Sequence, residues 1–398
     1  MNDFTIVAIA FNRPNSLKRL LMSLQKVDWK KDSVRLYISI DKDNKNSIGY
    51  IETVKIANDF EWEYGEKIVD CKEENLGLKK HILQCGNLTN KYENLIVLED
   101  DLIASPHMYS YAKQVVEFYK DNEDIAGFGL YSFQRNPINN LPFIPLNNGT
   151  DVYFMQYACS WGQIWTKSRW EKFMEWYEKN KNNKFEKEDI PYNVRNWGEK
   201  SWLKFHTIYT ILNNKFFVYP HVGLTTNFSD TGTHNQEKSF AYQCTIYDKQ
   251  EKIKFRFCNL KNANNVYDGY FENKKINELI NYDKQIIADF YGEKKIINVD
   301  KKEYLLSTNI YNYKILKTYG LQMYPYEQNV INNIDGSEIK LYDLSQKEEN
   351  RMFQKSYLVK RYLYKLDFMS KKDMYQIVKY FIDNICERLK RKLRSNKK

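Results

Sequence analysis

Apolar and polar positions along the first third of the chain fall into blocks whose period switches between two and nearly four. Residues 4–11 (FTIVAIAF) form an almost unbroken apolar run, the pattern of a strand buried on both faces. Asn12-Arg13-Pro14-Asn15-Ser16 supplies turn and capping residues, and Leu17, Leu20, Leu21 and Leu24 follow at helical spacing. Val34, Leu36, Ile38 and Ile40 alternate as a second strand that stops at Asp41, and residues 67–71 are a weaker third. The loop Glu74–Leu78 leads into a helix through Cys85. A fourth apolar run, Leu95–Leu98, ends abruptly in Glu99-Asp100-Asp101, ahead of a helix expected near Ser105-Pro106 and a strand at Ile125–Tyr131. Alternating strand and helix signals predict an α/β fold with a mostly parallel central sheet flanked by helices.

In open α/β sheets ligands bind just beyond the carboxyl ends of the strands. Asn12, Asp41, Asn75 and Glu99–Asp101 all fall after strands or in the loops that follow. Three adjacent carboxylates repel one another unless a cation or shared protons relieve them, and a divalent metal is the simplest relief. A lone Glu-Asp-Asp is a weak motif; its place after a buried strand gives it weight.

Residues 151–240 change character and are dense in Trp and Tyr, among them Trp161, Trp165, Trp170, Trp197 and Trp202. Such rings suit both core packing and stacking on sugars. Residues 241–350, rich in Asn, Lys, Ile and Tyr, give few site signals and are expected to be a C-terminal module of unknown role or a long elaboration of the same domain. From 374 onward Met374, Ile377, Val378, Phe381, Ile382, Ile385, Leu389 and Leu393 keep helical spacing among basic residues, which predicts a basic amphipathic helix ending the chain. The expected division is therefore 1–240 (with halves 1–132 and 151–240), 241–350 and a basic tail 351–398.

The length of 398 residues predicts two or three domains, and 42% hydrophobic with 16% aromatic content argues for a folded protein. The net charge of +10 is concentrated at one end. Residues 351–398 hold fifteen Lys and Arg against four acids, a surplus of eleven, so the remainder is about neutral. That distribution argues against a nucleic-acid partner, whose footprint surrounds the binding site. The tail helix could lie on an anionic membrane surface or pack on the body or a second copy of the chain, and these alternatives stay open. Six cysteines without a C-x-x-C pair suggest neither a zinc ribbon nor a disulfide framework. Met1-Asn2-Asp3 lacks a basic leader, so a cytoplasmic setting, peripheral on the inner face of the membrane if the tail binds lipid, is expected.

Val7–Pro14, Asn75-Leu76-Gly77-Leu78 and Ile96–Asp101, in this order and spacing, resemble the GT-A glycosyltransferases, most of all the branch near N-acetylglucosaminyltransferase I. Ala158–Trp165 and Asn227–His234 resemble segments of bacterial family 2-like sugar transferases. The resemblance covers about residues 4–240. It implies transfer of a hexosyl or N-acetylhexosaminyl group from a nucleotide sugar, UDP-linked by that resemblance, to a saccharide or lipid-linked saccharide, with Mn²⁺ or Mg²⁺ under the diphosphate.

Within that resemblance Asp101 is the most direct metal ligand and His234 a second. Glu99 and Asp100 contact ribose and donor sugar or orient water, Asp41 holds the uracil ring, and Asn12, Arg13, Asn75, Gly77 and Lys80 line the nucleotide and phosphates. Trp161 and Trp202 are the acceptor-side aromatics. The eukaryotic relatives carry a basic aspartate between two tryptophans, which is missing from Glu199-Lys200-Ser201-Trp202. Glu199 is the first candidate for the base of an inverting transfer and Asp230 the second. Abundant Asn, Lys and Ile associate the chain with a bacterium and hence with surface polysaccharide synthesis. A sugar nucleotidyltransferase and a catalytically silent carbohydrate-binding protein are the rival classes; the first normally has glycines after its first strand, which Phe11-Asn12-Arg13-Pro14 lacks.

Overall fold

A computed structural model gives the architecture. It describes residues 4–228, 230, 242–248, 254–295 and 304–350, together with 370, 374–376, 378–382 and 385. In chain order the elements are β1 (Phe4–Ala10), α1 (Pro14–Leu24), β2 (Arg35–Ile40), α2 (Ile48–Asp59), β3 (Lys67–Cys71), α3 (Gly77–Gly86), β4 (Asn94–Glu99), β5 (Leu102–Ala104), α4 (Met108–Phe118) and β6 (Ile125–Gly129). There follow β7 (Val152–Met155), β8 (Gln163–Thr166), α5 (Lys167–Asn180), α6 (Tyr192–Asn196), α7 (Trp202–Leu212), β9 (Phe216–Pro220), β10 (Thr225–Asn227), β11 (Val266–Tyr267) and α8 (Ile276–Ile280). The last described elements are β12 (Ile286–Asp289), β13 (Tyr304–Ser307), β14 (Tyr313–Tyr319), α9 (Glu327–Ile331) and β15 (Ile339–Lys347).

The fold is α/β. Nine strands form one sheet in the order β11-β7-β9-β6-β8-β4-β1-β2-β3. β4, β1, β2 and β3 are mutually parallel, and β8 enters antiparallel between β4 and β6. The apolar runs are explained by burial on both faces. Ile6, Ala8, Ile96 and Leu98 pack with Leu17, Leu20 and Leu21 of α1 and Val115 of α4. The alternate residues Val7, Ile9, Leu95 and Val97 pack with Ile82 of α3, Trp170 and Phe173 of α5 and Phe205 of α7. Helices thus cover both sides, as a parallel sheet requires.

Some boundaries differ from the sequence reading. α1 begins at Pro14, with Arg13 as its N-cap, because proline's fixed φ and missing N–H suit the first helical position. α4 begins at Met108 and not at Pro106, since the backbone of Ser105 donates to Leu224 O and its hydroxyl to Tyr247 O before the helix starts. The aromatic density of 151–240 is mostly core: Trp165 stacks on Trp170 at 4.2 Å, and Trp202 is 4% exposed.

The stretch 242–295 adds β11 to the edge of the large sheet, while β12, β13, β15 and β14 form a separate four-stranded sheet. Residues up to Thr308 together with Tyr313–Lys347 make one compact unit; Asn309–Asn312 with the chain from Glu348 make another. In the second unit 374–376, 378–382 and 385 are helical and exposed, and the rest of the expected basic helix lies outside the described residues. Among the described residues no helix is long and apolar enough to cross a membrane.

Candidate active site

Strand register brings the candidate residues to one edge. β1 pairs with β4 so that Ile9 lies opposite Glu99, and with β2 so that Ala10 lies opposite Ile40; β2 in turn sets Ile40 opposite Cys71. The loops after β1, β2, β3 and β4 therefore open side by side. β8 runs the other way and pairs Gln163 with Val97, which delivers Ser160 and Trp161 to the same edge. The short ribbon β5–β10 pairs Leu102 with Asn227 and carries Phe228 and Asp230 there as well.

The acids form the centre. Asp100 is 2% exposed and Asp101 8%. Arg13 reaches across from the start of α1: Nε donates to Asp100 Oδ2 at 3.2 Å, Nη2 to Asp100 Oδ1, and Nη1 to Asp101 Oδ2 at 3.1 Å. Asn227 Nδ2 donates to Asp101 Oδ1 at 3.2 Å, and Phe228 N to the Asp101 carbonyl at 2.9 Å. Ser160 lies near enough to Glu99 to oppose the rise of its carboxyl slightly. Close by, Asp230 accepts from Ser16 Oγ at 2.6 Å and from Arg19, whose guanidinium also lies 4.0 Å over the Phe228 ring.

The field of the cluster follows from this packing. Burial pushes the Glu99 carboxyl up to about 8, with the Asp101 charge adding to it against the pull of Arg13. Burial likewise raises Asp100 to about 7, although Arg13 opposes the shift. Burial lowers the Arg13 guanidinium, but the charges of Asp100 and Asp101 outweigh it and the net shift is upward. For Asp230 burial is outweighed by Arg19 and Ser16, and the carboxyl is held below its usual range.

Four carboxyl groups thus face two guanidiniums, and burial with mutual repulsion raises Glu99 and Asp100 even so. Hard carboxylate oxygens in such a set fit Mn²⁺ or Mg²⁺. Among the described residues no three His, Cys, Asp or Glu side chains converge as an all-protein cage. His234 lies outside the described residues.

Around this centre the sequence-derived residues separate. Asp41 is committed to α3: Oδ1 accepts Leu76 N and Oδ2 accepts Gly77 N, both at 2.9 Å, so it caps the helix and does not present a free carboxylate. Gly77 has φ +71°, which suits glycine, and space for a side chain is open around it. Asn75 is exposed and donates to Lys42 O; Lys80 is on the exposed face of α3. Asn12 is half-buried, and its carbonyl lies where a Cβ on Gly49 would approach to 2.5 Å, which holds α2 close against the first loop.

Trp161 is half-buried, edge-on to Tyr131 at 4.8 Å and 5.0 Å from the exposed Tyr242, so an aromatic wall stands beside Glu99 and Ser160. Trp202 corrects the sequence expectation: it packs in the core against Trp165 and His206, and its face is not available to a sugar. Glu199 is exposed on the loop before α7, where its carbonyl accepts from Lys79 at 3.1 Å. Ser160, Asn227 and Arg19 were not singled out from sequence. The first two lie inside the quoted segments Ala158–Trp165 and Asn227–His234, whereas Arg19 had only its place on the polar side of α1 to mark it.

No family model matches the chain, and no curated protein is significantly similar to it. Among solved structures, S. aureus TarS 1–349 is similar at 13% identity over 55% of this chain and 57% of that one, with a TM-score of 0.34. TarS 1–349 in complex with UDP-GlcNAc is similar at 13% identity over 58% and 60%, with a TM-score of 0.36. The mannosyltransferase PcManGT from Pyrobaculum calidifontis, in complex with GDP-Man and Mn²⁺, is similar at 10% identity over 55% and 54%, with a TM-score of 0.35. In each case less than two thirds of the matched chain is covered.

Proposed function

We propose that this chain is a metal-dependent glycosyltransferase that moves a sugar from a UDP-linked donor to a saccharide or lipid-linked saccharide, with inversion, in the synthesis of a bacterial surface polysaccharide. One observation carries the proposal: a cluster of four acids faced by two guanidiniums stands at the carboxyl edge of a parallel sheet, where the loops after four strands and an aromatic wall meet.

Asp101, with Asp100 beside it, would hold Mn²⁺ or Mg²⁺, whose Lewis acidity stabilises the charge on a departing diphosphate. Asn12 and the backbone of the Asn75–Gly77 loop would border the nucleotide, with Lys80 and Arg13 as phosphate partners and Asp41 fixing the loop from below. His234 is proposed as a further ligand from the sequence alone. Glu99 would face the donor sugar, and Trp161 the acceptor. In an inverting step the acceptor oxygen bonds to the anomeric carbon as the bond to the diphosphate oxygen breaks, and the hydroxyl proton passes to a carboxylate. Glu199, exposed and without an ion-pair partner among the described residues, is the proposed base. Asp230 is tied to Arg19 and Ser16 and fits that part less well.

The tail is proposed to hold the enzyme peripherally at an anionic membrane surface, since Val378, Phe381, Ile382 and Ile385 are exposed on its helical stretches. Deleting residues 371–398 should abolish co-sedimentation with anionic vesicles; unchanged sedimentation discards the anchor.

The test of the activity is a panel of sugar nucleotides with Mn²⁺, read by thermal unfolding and by hydrolysis. A donor that binds the native state raises its apparent stability, by about 2.7 kcal/mol at a hundred times its Kd. One UDP-sugar should do so for the wild type and not for Asp101→Asn. If no sugar nucleotide shifts the melting curve at millimolar concentration, the proposal is wrong.

A further inference from the structure

Arg13 performs two tasks at the sheet edge. Its backbone opens α1, the carbonyl accepting from Leu17 N at 3.1 Å with Pro14 in the first helical position. Its side chain turns back and places all three guanidinium nitrogens on the acids, two on Asp100 and one on Asp101. The Arg13 side chain is 27% exposed, against 3% for Asp100 and 11% for Asp101. The cation therefore lies on the solvent side of acids that are themselves fixed, Asp101 by Asn227 Nδ2 on one oxygen and by Phe228 N on its carbonyl.

A divalent ion reaching Asp101 from solvent meets this guanidinium first. Two cations a few ångströms apart on the same carboxylate oxygens repel strongly in a partly buried setting. The oxygen of Asp101 that Asn227 leaves open is the one Arg13 holds. Yet one guanidinium serves two acids here, Asp100 and Asp101, with Glu99 adjoining them in the chain. A pair built only for stability would be expected to match its charges.

We infer that Arg13 is the cluster's internal counter-ion and is exchanged for the divalent cation. In the donor-free protein its guanidinium covers the face of Asp100 and Asp101 that a metal would use, and a donor diphosphate draws it from carboxylate to phosphate oxygens. This rests on the glycosyltransferase proposal above. The exchange leaves no group unpaired: the acids pass from one cation to another, and the planar fork finds a second anion of matching geometry. It also sets an order of binding. Metal alone binds weakly, because it must displace a bidentate pair and strand the guanidinium; metal arriving with a diphosphate binds tightly, because the diphosphate is both a ligand to the ion and the new partner of Arg13.

The experiment measures Mn²⁺ binding without nucleotide, by the paramagnetic resonance signal of the free ion, for wild type, Arg13→Gln, Arg13→Lys and Asp101→Asn. UDP binding is then measured at saturating Mn²⁺. Arg13→Gln should bind Mn²⁺ about tenfold or more tightly than wild type and UDP about tenfold more weakly, each tenfold being about 1.4 kcal/mol. Its melting temperature, lowered without metal, should recover with Mn²⁺ more than the wild type's rises. Arg13→Lys keeps a charge but not the fork, and should show a smaller gain, which serves if Arg13→Gln does not fold. Asp101→Asn should lose Mn²⁺ in either background. Wild-type binding of a UDP-sugar together with unchanged or weaker Mn²⁺ affinity in both Arg13 variants overturns the exchange and leaves the transferase proposal standing. A wild type that binds Mn²⁺ but no sugar nucleotide removes the transferase proposal, and the diphosphate half of the exchange with it.

Discussion

The Asp41 carboxylate accepts the backbone N–H of Gly77 at 2.9 Å, and with its other oxygen that of Leu76 at the same distance. The acid at the end of β2 thereby fixes the start of α3 and the loop before it. Charge at a helix N-terminus is favourable, and two otherwise unpaired donors are satisfied.

Asp41→Ala should therefore destabilise the protein by about 1–3 kcal/mol, the range for losing a cap that leaves partly buried donors unpaired. Urea unfolding reads it. Asp41→Asn keeps one acceptor oxygen and should lose less. Gly77→Ala forces a side chain to φ +71° and should cost about 1–2 kcal/mol. If Asp41→Ala leaves the unfolding midpoint unchanged, the cap carries no weight and a ligand-facing role for Asp41 returns.

Two tryptophans that look alike in sequence should behave oppositely. Trp202→Ala empties a core position against Trp165 and His206 and should cost about 3–5 kcal/mol. Trp161→Ala removes a half-buried ring of the edge wall, should lower stability by less than half as much, and should raise the KM for acceptor with donor binding intact. Equal destabilisation in the two variants would place Trp161 in the core and not at the acceptor site.

The contrast between those residues marks where the sequence stops being informative. β1, β2 and β4 were legible because burial on both faces leaves an unbroken or alternating apolar run that few other elements share. The site edge followed, since acids and turn residues cluster where such runs end. α2 left no readable stripe: only Tyr50, Thr53 and Ala57 of its twelve residues are buried. The β5–β10 ribbon joins two three-residue segments more than a hundred positions apart, with no local pattern to announce it. The pairing of Arg13 with acids 87 and 88 residues away, and of Arg19 with Asp230, likewise depends on register between strands and not on neighbours in sequence. Residue type could nominate Trp161 and Trp202 alike; only packing distinguishes them.

His206 gives the protein an acid-sensitive core. Its imidazole is 2% exposed, stacks on Phe173 at 4.2 Å, and has no hydrogen-bond partner at Nδ1 among the described residues. Burial lowers it to about 3. The unfolded imidazole titrates near 6.5, so as the pH falls the unfolded chain takes up the proton first. Stability from this group is complete above about pH 6.5 and is lost progressively as the pH falls toward 3, roughly 2 kcal/mol being gone by pH 5. His206→Phe should narrow the difference in unfolding free energy between pH 7 and pH 5 by about that amount. An unchanged difference would mean that the imidazole is not held neutral in the fold.

Glu199 and Asp230 differ in what holds them, and this separates their expected roles. Asp230 is kept ionised by burial-opposing bonds from Arg19 and Ser16, both on α1, so it links the loop after β10 to the helix that carries Arg13. A carboxylate held below its usual range is a poor proton acceptor. Asp230→Asn should therefore lower stability by about 1 kcal/mol through the lost ion pair and weaken donor binding, with kcat changed little. Glu199→Gln should lower kcat by about 10²–10⁴-fold and leave the donor Kd and the melting temperature near wild type. A Glu199→Gln enzyme with wild-type kcat would transfer the role to another carboxylate at the edge, and a large kcat loss in Asp230→Asn at unchanged stability would identify that carboxylate as Asp230.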